Sequence, residues 1–350
     1  MPHVETLIVG GGLAGLSLAY LLHQAEKPFT LIEARDRLGG RIKGFEANGQ
    51  SFDLGPAWFW PGQPRIAKLI AEFNLKTFEQ FSKGAAVYED EQGRRQTAHG
   101  FASMAGSFRL DGGFVKLVNV LRQQLPSEQI RLSHPLEKLG YQDKIFTAVT
   151  PNATFTADRV VFAVPPRVAG QMIEFEPPLP KNATTEIPTW MAGHAKAVAI
   201  YDTAFWRRDD LSGDGASRVG PLMEIHDASP NDGSIGALFG FIGVSVDQRK
   251  DAEALHQAIL DQLGRMFGAK ARSPKELVLA DWAFEPFTAT HLDHPPLYAH
   301  PKYGMSRALD GLCDGRLVFG STETAPEFGG YLEGALETAE VAFAALGGSV

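Results

Sequence analysis

The chain has 350 residues, 44% of them hydrophobic and 21% charged, with a formal net charge of −8. That length supports a large core and two domains, and the composition is that of a soluble globular protein. The mild acidity, with no Lys/Arg run, argues against nucleic acid as a partner and suits a cationic substrate. The single cysteine, Cys313, excludes an internal disulfide. It fits a reducing, cytoplasmic setting. No signal peptide is read before the first element, and no apolar run reaches the ~18 residues of a membrane span.

Leu7-Ile8-Val9 is an apolar, β-branched run of the kind that forms a buried strand. It leads straight into Gly10-Gly11-Gly12-Leu13-Ala14-Gly15, which fits G-x-G-x-x-G, and then into helix-forming Leu16–Leu22 composition. In this strand–turn–helix setting Gly10 permits the tight turn and Gly12 lets a pyrophosphate approach the backbone. Gly15 lets the helix pack close to the strand. The phosphates then face the free N–H groups and positive dipole of the helix N-terminus. A second strand, Phe29-Thr30-Leu31-Ile32, ends at Glu33, spaced to accept hydrogen bonds from a ribose. The next stretch, Ala34-Arg35-Asp36-Arg37-Leu38-Gly39-Gly40-Arg41, reads as a turn bringing a guanidinium to a phosphate. A flavin dinucleotide uses such a segment, whereas a nicotinamide site does not need it.

Residues 52–62 are rich in Gly, Pro and aromatics. Their backbone suits the edge of an isoalloxazine, and Trp58 and Trp60 suit either a cavity wall or the core. Residues 64–80 predict a helix, and 84–108 a strand pair with a turn at 90–93 and a Gly/Ala/Ser link. Leu110–Phe114 opens a helix carrying Leu117, Val118 and Leu121. Residues 130–139, 145–149 and 154–156 read as hairpin strands, and 159–164 as a buried strand ended by Pro165-Pro166. Four prolines in 177–188 mark a crossing between domains. Further strands are expected at 193–201, 236–246, 277–283 and 317–319, with an amphipathic helix at 251–268 and a final helix from Gly329-Gly330 to about Leu346.

The two ends together resemble the flavin-containing amine oxidase family, which includes monoamine and polyamine oxidases. The resemblance rests on Gly10–Gly15, Glu33–Arg41, Leu110-Asp111-Gly112-Gly113, Phe162–Pro166, Phe205-Trp206, Asp281-Trp282, Gly320–Glu323 and Gly330–Ala335. It covers nearly the whole chain. It implies an α/β fold: a Rossmann-like FAD-binding domain of the glutathione reductase type, interleaved with a smaller α+β substrate domain on a mixed sheet. The FAD domain would comprise 1–80, 108–178 and 290–350, and the substrate domain 81–107 and 179–289. Non-covalent FAD is the implied cofactor, a small molecule and O2 the partners, and monomer or homodimer the assembly. No metal or membrane is expected.

The residues implied to hold FAD are Gly10, Gly12, Leu13, Ala14, Gly15, Glu33, Ala34, Arg35, Gly40 and Arg41. With them go Gly55, Pro56, Ala57, Trp58, Leu136, Val164, Trp282, Glu323, Gly330, Tyr331 and Leu332. A helix starting near Gly330 would aim its positive end at the flavin pyrimidine, where charge collects on reduction, and Glu323 would bond the ribityl or pyrophosphate region. Lys196, in an otherwise apolar strand, matches the family lysine that holds a water against the flavin and assists reaction with oxygen. On the residues alone the alternative is a lysine at a strand edge reaching solvent, since alternation is compatible with either face.

Two departures stand out. The family often flanks the flavin with two aromatic rings. Tyr331 matches one, but Thr290-His291-Leu292 stands where the other is expected. Cys313 lies away from the position used for a cysteinyl link, leaving His291 as the remaining candidate for covalent attachment. Residues 81–107 are much shorter than the helical insertion of monoamine oxidases, so the pocket is either open or closed by a second subunit. The expected activity is amine oxidation through Lys196 and Tyr331, with a renalase-like nicotinamide oxidase or a desaturase as the alternative. A flavoprotein without turnover is a third reading. Trp190, Glu224, His226, Phe239 and Phe287 are candidates for the cavity wall or for the core.

Overall fold

The computed structural model describes residues 1–349 except 101, 296 and 298. Its larger sheet has eight strands, five of them a parallel set in the order Ile130–Arg131, Phe29–Ile32, His3–Val9, Thr154–Phe162 and Leu317–Phe319. Leu7, Ile8, Leu31, Val160, Val161 and Phe162 are all buried, as strands covered on both faces require. One face carries the helices Leu13–Gln24, Phe114–Gln123 and Leu332–Ala345. The other carries an antiparallel ribbon, Lys138–Gln142 and Ile145–Val149, which continues from the first half of Thr154–Phe162 and packs through Leu139, Phe146 and Phe155.

The second sheet is mixed. Its order is Glu276–Asp281, Ala195–Tyr201, Gly236–Ile242, Leu222–Asp227, Leu211–Ser217, Ala85–Glu89 and Arg95–Ala98, with only the Leu211–Ser217 and Ala85–Glu89 pair parallel. Alternation divides its residues cleanly. Ala195, Ala197, Ala199 and Tyr201 face the helix Ala252–Phe267 through Leu255, Ile259 and Leu263. Val198, Ile200, Ala237 and Phe239 face the hairpin Gly44–Ala47/Gln50–Asp53 and Leu54. The helix Ala252–Phe267 starts at Asp251, whose carboxylate accepts the Ala254 N–H, a favoured N-cap arrangement.

Several local expectations change. The helix expected over 64–80 ends at Glu72, because Asn74 turns left-handed (φ 52°) and sends the chain into the strand Thr77–Glu79. Asparagine tolerates that conformation better than most residues. Residues 130–139 are not one strand: Ile130–Arg131 joins the parallel sheet and Lys138–Gln142 the ribbon. The segments 154–156 and 159–164 are instead one nine-residue strand, Thr154–Phe162. Pro166 does not merely end it but opens a short helix, Pro166–Met172, as proline does at a first helical turn. The strands Leu211–Ser217 and Leu222–Asp227 carry glycines and charges that hid their pattern.

Candidate active site

A cavity of about 910 Å³ opens at the carboxyl ends of the parallel strands and continues beneath the second sheet. The crevice beyond those ends is where open α/β sheets bind ligands. Val9, Ile32, Glu33, Ala163 and Val164, all at strand ends, line it.

The glycine loop is shaped by contacts that forbid a side chain at some positions and leave space at one. A Cβ on Gly10, already at φ 109°, would lie 2.5 Å from Val164 Cγ1, and one on Gly15 would lie 1.9 Å from the Gly10 carbonyl oxygen. Gly12 differs: its φ of −73° suits any residue, and the nearest atom to an added Cβ is Gly40 Cα at 4.0 Å. The space beside Gly12 opens on the cavity, and the first N–H groups of the helix Leu13–Gln24 lack intrahelical partners there. Gly39 donates its N–H to the Gly11 carbonyl at 2.8 Å, laying 39–40 alongside the loop. Arg37 braces that turn through the carbonyls of Leu38, Gly40 and Ile42.

Glu33 is buried, and its carboxylate accepts the N–H of Gly11 at 2.7 Å and of Arg35 at 2.9 Å. Arg35 reaches across to Thr288 Oγ1 at 2.8 Å. Arg41 Nη2 lies 2.7 Å from Glu323 Oε1. That contact lacks hydrogen-bond alignment, and neither Glu323 oxygen nor the buried Ser321 Oγ has a hydrogen-bond partner among the described residues. Buried polar atoms are normally satisfied. Ser321 lines the cavity, so the unfilled bonds and the Gly12 space fit a polar, phosphate-bearing ligand.

Lys196 lies on the Val198/Ile200 face of the second sheet and not at an edge: the strands Glu276–Asp281 and Gly236–Ile242 pair on either side of it. It is 3% exposed, its Nζ donates to the Gly55 carbonyl at 3.1 Å, and the Phe239 ring lies 4.0 Å below it. Burial pulls its pKa down to about 7, against the opposing influence of Asp53. Gly55 is held by the close passage of Arg41, whose carbonyl oxygen would lie 2.0 Å from a Cβ there. Trp282 donates its indole N–H to the Leu54 carbonyl at 3.1 Å. Burial and the Arg249 guanidinium hold the neighbouring His194 imidazole below its ordinary range.

The helix Leu332–Ala345 presents its N-terminus to the same cavity. Thr322 Oγ1 donates to the Tyr331 carbonyl at 2.9 Å, and Gly330 N–H donates to the Thr322 carbonyl at 3.3 Å. Glu333 turns away and accepts the N–H groups of Arg65 and Ile66, closing the start of the helix Pro64–Glu72. The Tyr331 ring stacks on His300 (4.9 Å, 11°) and meets Trp60 edge to face at 6.4 Å.

Of the expected site residues, Gly10, Gly12, Leu13, Ala14, Glu33, Ala34, Arg35, Gly40, Arg41, Gly55, Pro56, Ala57 and Trp58 line this one cavity. So do Leu136, Val164, Lys196, Trp282, Gly330, Tyr331 and Leu332. Gly15 and Glu323 lie behind the wall, Gly15 at the helix–strand contact and Glu323 beneath Arg41. Trp190, Glu224 and Phe287 line it, whereas His226 and Phe239 sit one layer deeper against Trp58. His291 and Cys313 do not line it. Gln63, His194, Met104 and Met223 were not legible as wall residues, since no motif carries them.

The family model for flavin containing amine oxidoreductases matches residues 13–104 and 98–342. The chain belongs to that family. This flavin containing amine oxidoreductase is similar to the Dictyostelium discoideum protein named "Probable flavin-containing monoamine oxidase A", at 25% identity over 95% of each chain. It is also similar to the putrescine oxidase of Kocuria rosea, at 24% identity over 81% of this chain and 83% of that one. In fold it resembles the cyclohexylamine oxidase of Brevibacterium oxydans IH-35A, with a TM-score of 0.83 and 18% identity over 99% of both chains. The amine oxidoreductase is thus an oxidoreductase whose family uses a flavin. Among the described residues, no helix is long and apolar enough to cross a membrane.

Proposed function

We propose that the chain is an FAD-dependent amine oxidase acting on a small amine, with O2 as electron acceptor. The observation that carries this reading is Lys196: a buried amine with a pKa drawn down to about 7, on the wall of the cavity the glycine loop opens into. Sites that handle protons and oxygen need such a tuned group.

In this reading the parallel sheet is the core of a glutathione reductase-type FAD domain made of 1–80, 108–178 and 290–350. Residues 81–107 and 179–289, which supply every strand of the second sheet, are the substrate domain. Gly12, Leu13 and Ala14 would hold the pyrophosphate, and Glu33 the ribose. Arg41, with Glu323 behind it, would meet the phosphates, and Leu332 at its helix N-terminus would meet the flavin pyrimidine. FAD held there would supply the hydride acceptor for the amine α-carbon and the route by which its electrons reach O2 as H2O2, the imine product then hydrolysing in water. The protein's part is positioning and electrostatics. Trp60 and Tyr331 orient the amine, and Trp282 fixes the 54–55 backbone. Lys196 Nζ, anchored by the Gly55 carbonyl, holds a water and moves its proton.

The test is the flavin spectrum of the purified protein, taken without oxygen against a pooled amine panel and, separately, against NADH and NADPH. Amines should bleach it, and air should restore it with peroxide formed. Bleaching by the nicotinamides alone would overturn the amine assignment. Acid precipitation should release all the yellow colour; colour retained in the pellet would contradict non-covalent binding.

A further inference from the structure

The second sheet carries a charged relay that the chemistry at Lys196 does not use. His226 is buried, its Nδ1 lies 2.9 Å from Asp214 Oδ1, and its Nε2 lies 2.9 Å from Glu224 Oε1. Asp214 is buried, whereas Glu224 lines the cavity and its side chain is 39% exposed. An imidazole with a carboxylate at each nitrogen donates at both, so it is cationic. The relay then sums to one negative charge, and that charge faces the cavity at Glu224.

The register across the sheet places this anion relative to the proposed chemistry. Lys196 pairs with Phe241, and Phe241 pairs with Glu224. All three therefore stand in one row on one face, with Lys196 and Glu224 two strands apart. Neighbouring strands are separated by ~4.8 Å, so the row spans ~10 Å. Phe241 lines the cavity between them.

We propose that Asp214 and His226 hold Glu224 as a fixed anion on the cavity wall, so that the enzyme selects amines carrying a second cation several methylenes from the reacting carbon. This rests on the amine oxidase reading. The reacting nitrogen sits by Lys196 and the Tyr331 ring, the methylenes lie over Phe241, and the remote ammonium meets Glu224. No cationic side chain other than His226 contacts Glu224 among the described residues; Ser103 Oγ donates to it at 3.0 Å. The groups around His226 from the neighbouring elements are Asp214, Trp58 and Phe239, the last two aromatic. Burial disfavours the His226 cation, but the two carboxylates outweigh it and raise its pKa. The His226 bond in turn holds Glu224 below the usual carboxylate range.

The test compares hexamethylenediamine with hexylamine on the holoenzyme. The diamine should be favoured about tenfold or more in kcat/KM, the worth of one charge-assisted hydrogen bond. In Glu224→Gln and His226→Gln the ratio should fall toward parity through the diamine KM and not kcat, and Glu224→Asp should restore part of it. Equal kcat/KM for the two amines in the wild type would overturn the proposal, as would an unchanged ratio in Glu224→Gln. A hexamethylenediamine analogue with both α-carbons dimethylated has no α C–H and can only bind. Its titration into the holoenzyme, followed by the flavin absorbance, reads the anchor even if no amine is oxidised. Tighter binding than the matching monoamine, lost in Glu224→Gln, supports the anchor. Equal binding of the two analogues overturns it.

Discussion

Lys196→Met will retain bound flavin but turn over roughly 10²-fold or more slowly, the range over which positioned proton-transfer groups act. The substitution keeps length and apolar bulk while removing the only atom of the side chain that bonds the Gly55 carbonyl and can hold a water. Oxygen uptake and stopped-flow bleaching with a reactive amine measure it directly. The wild type should also show a rising limb in its pH profile near pH 7, where Nζ loses its proton. That limb should vanish in the variant. Unchanged turnover would remove Lys196 from the chemistry.

The same substitution carries a stability signature of definite sign. The folded protein releases the Lys196 proton at about pH 7, but the unfolded chain holds it up to the ordinary lysine value of 10.5. Between those values the unfolded state binds more protons, so wild-type stability rises with pH. Below pH 7 both states are charged and the full cost of the buried ammonium, on the order of a few kcal/mol, is present. Lys196→Met should therefore melt higher than the wild type most clearly below pH 7, and the gap should narrow toward pH 10.5. The Phe239 ring beneath the ammonium offsets part of that cost.

The second large effect separates two glycines of one motif. Gly15→Ala drives a Cβ to 1.9 Å from the Gly10 carbonyl oxygen. The helix must leave the strand, so the variant should lose about 1–3 kcal/mol, as overpacked sites do, and flavin with it. Gly12→Ala meets nothing closer than 4.0 Å and needs no unusual backbone angle. Its apo form should melt as the wild-type apo form does, yet it should be purified colourless, because the methyl group fills the space a pyrophosphate needs. Melting of apo and flavin-reconstituted proteins tells the two apart. A yellow, fully active Gly12→Ala variant would refute the phosphate site.

Much of the parallel-sheet half was legible because its physics is local. The strand ending at Val9, the glycine turn, Glu33 and the strand Leu317–Phe319 announce themselves through apolar runs and obligatory glycines. Lys196 was visible as a charge in an apolar strand, but its face was not. Only the pairing of Ala195–Tyr201 between two other strands decides it. The Asp214–His226–Glu224 relay was beyond reach for the same reason: Asp214 and His226 lie on strands whose glycines and charges masked the alternation. Residues 130–139 misled because an apolar start and end suggested one strand where two serve different parts of the sheet.

The helix Leu332–Ala345 lies against Leu13–Gln24, and the strand Leu317–Phe319 completes the parallel sheet beside Thr154–Phe162. The first helix therefore packs in part against a segment far away in sequence, although Phe29, Ile66, Phe114 and Leu117 from nearer stretches share its core. Closing so long a loop costs entropy before the contact rewards it, and non-local pairing of this kind slows folding. In refolding, the seam between these two helices is expected to gain protection from hydrogen exchange later than the contacts that Leu13–Gln24 makes with Phe114–Gln123.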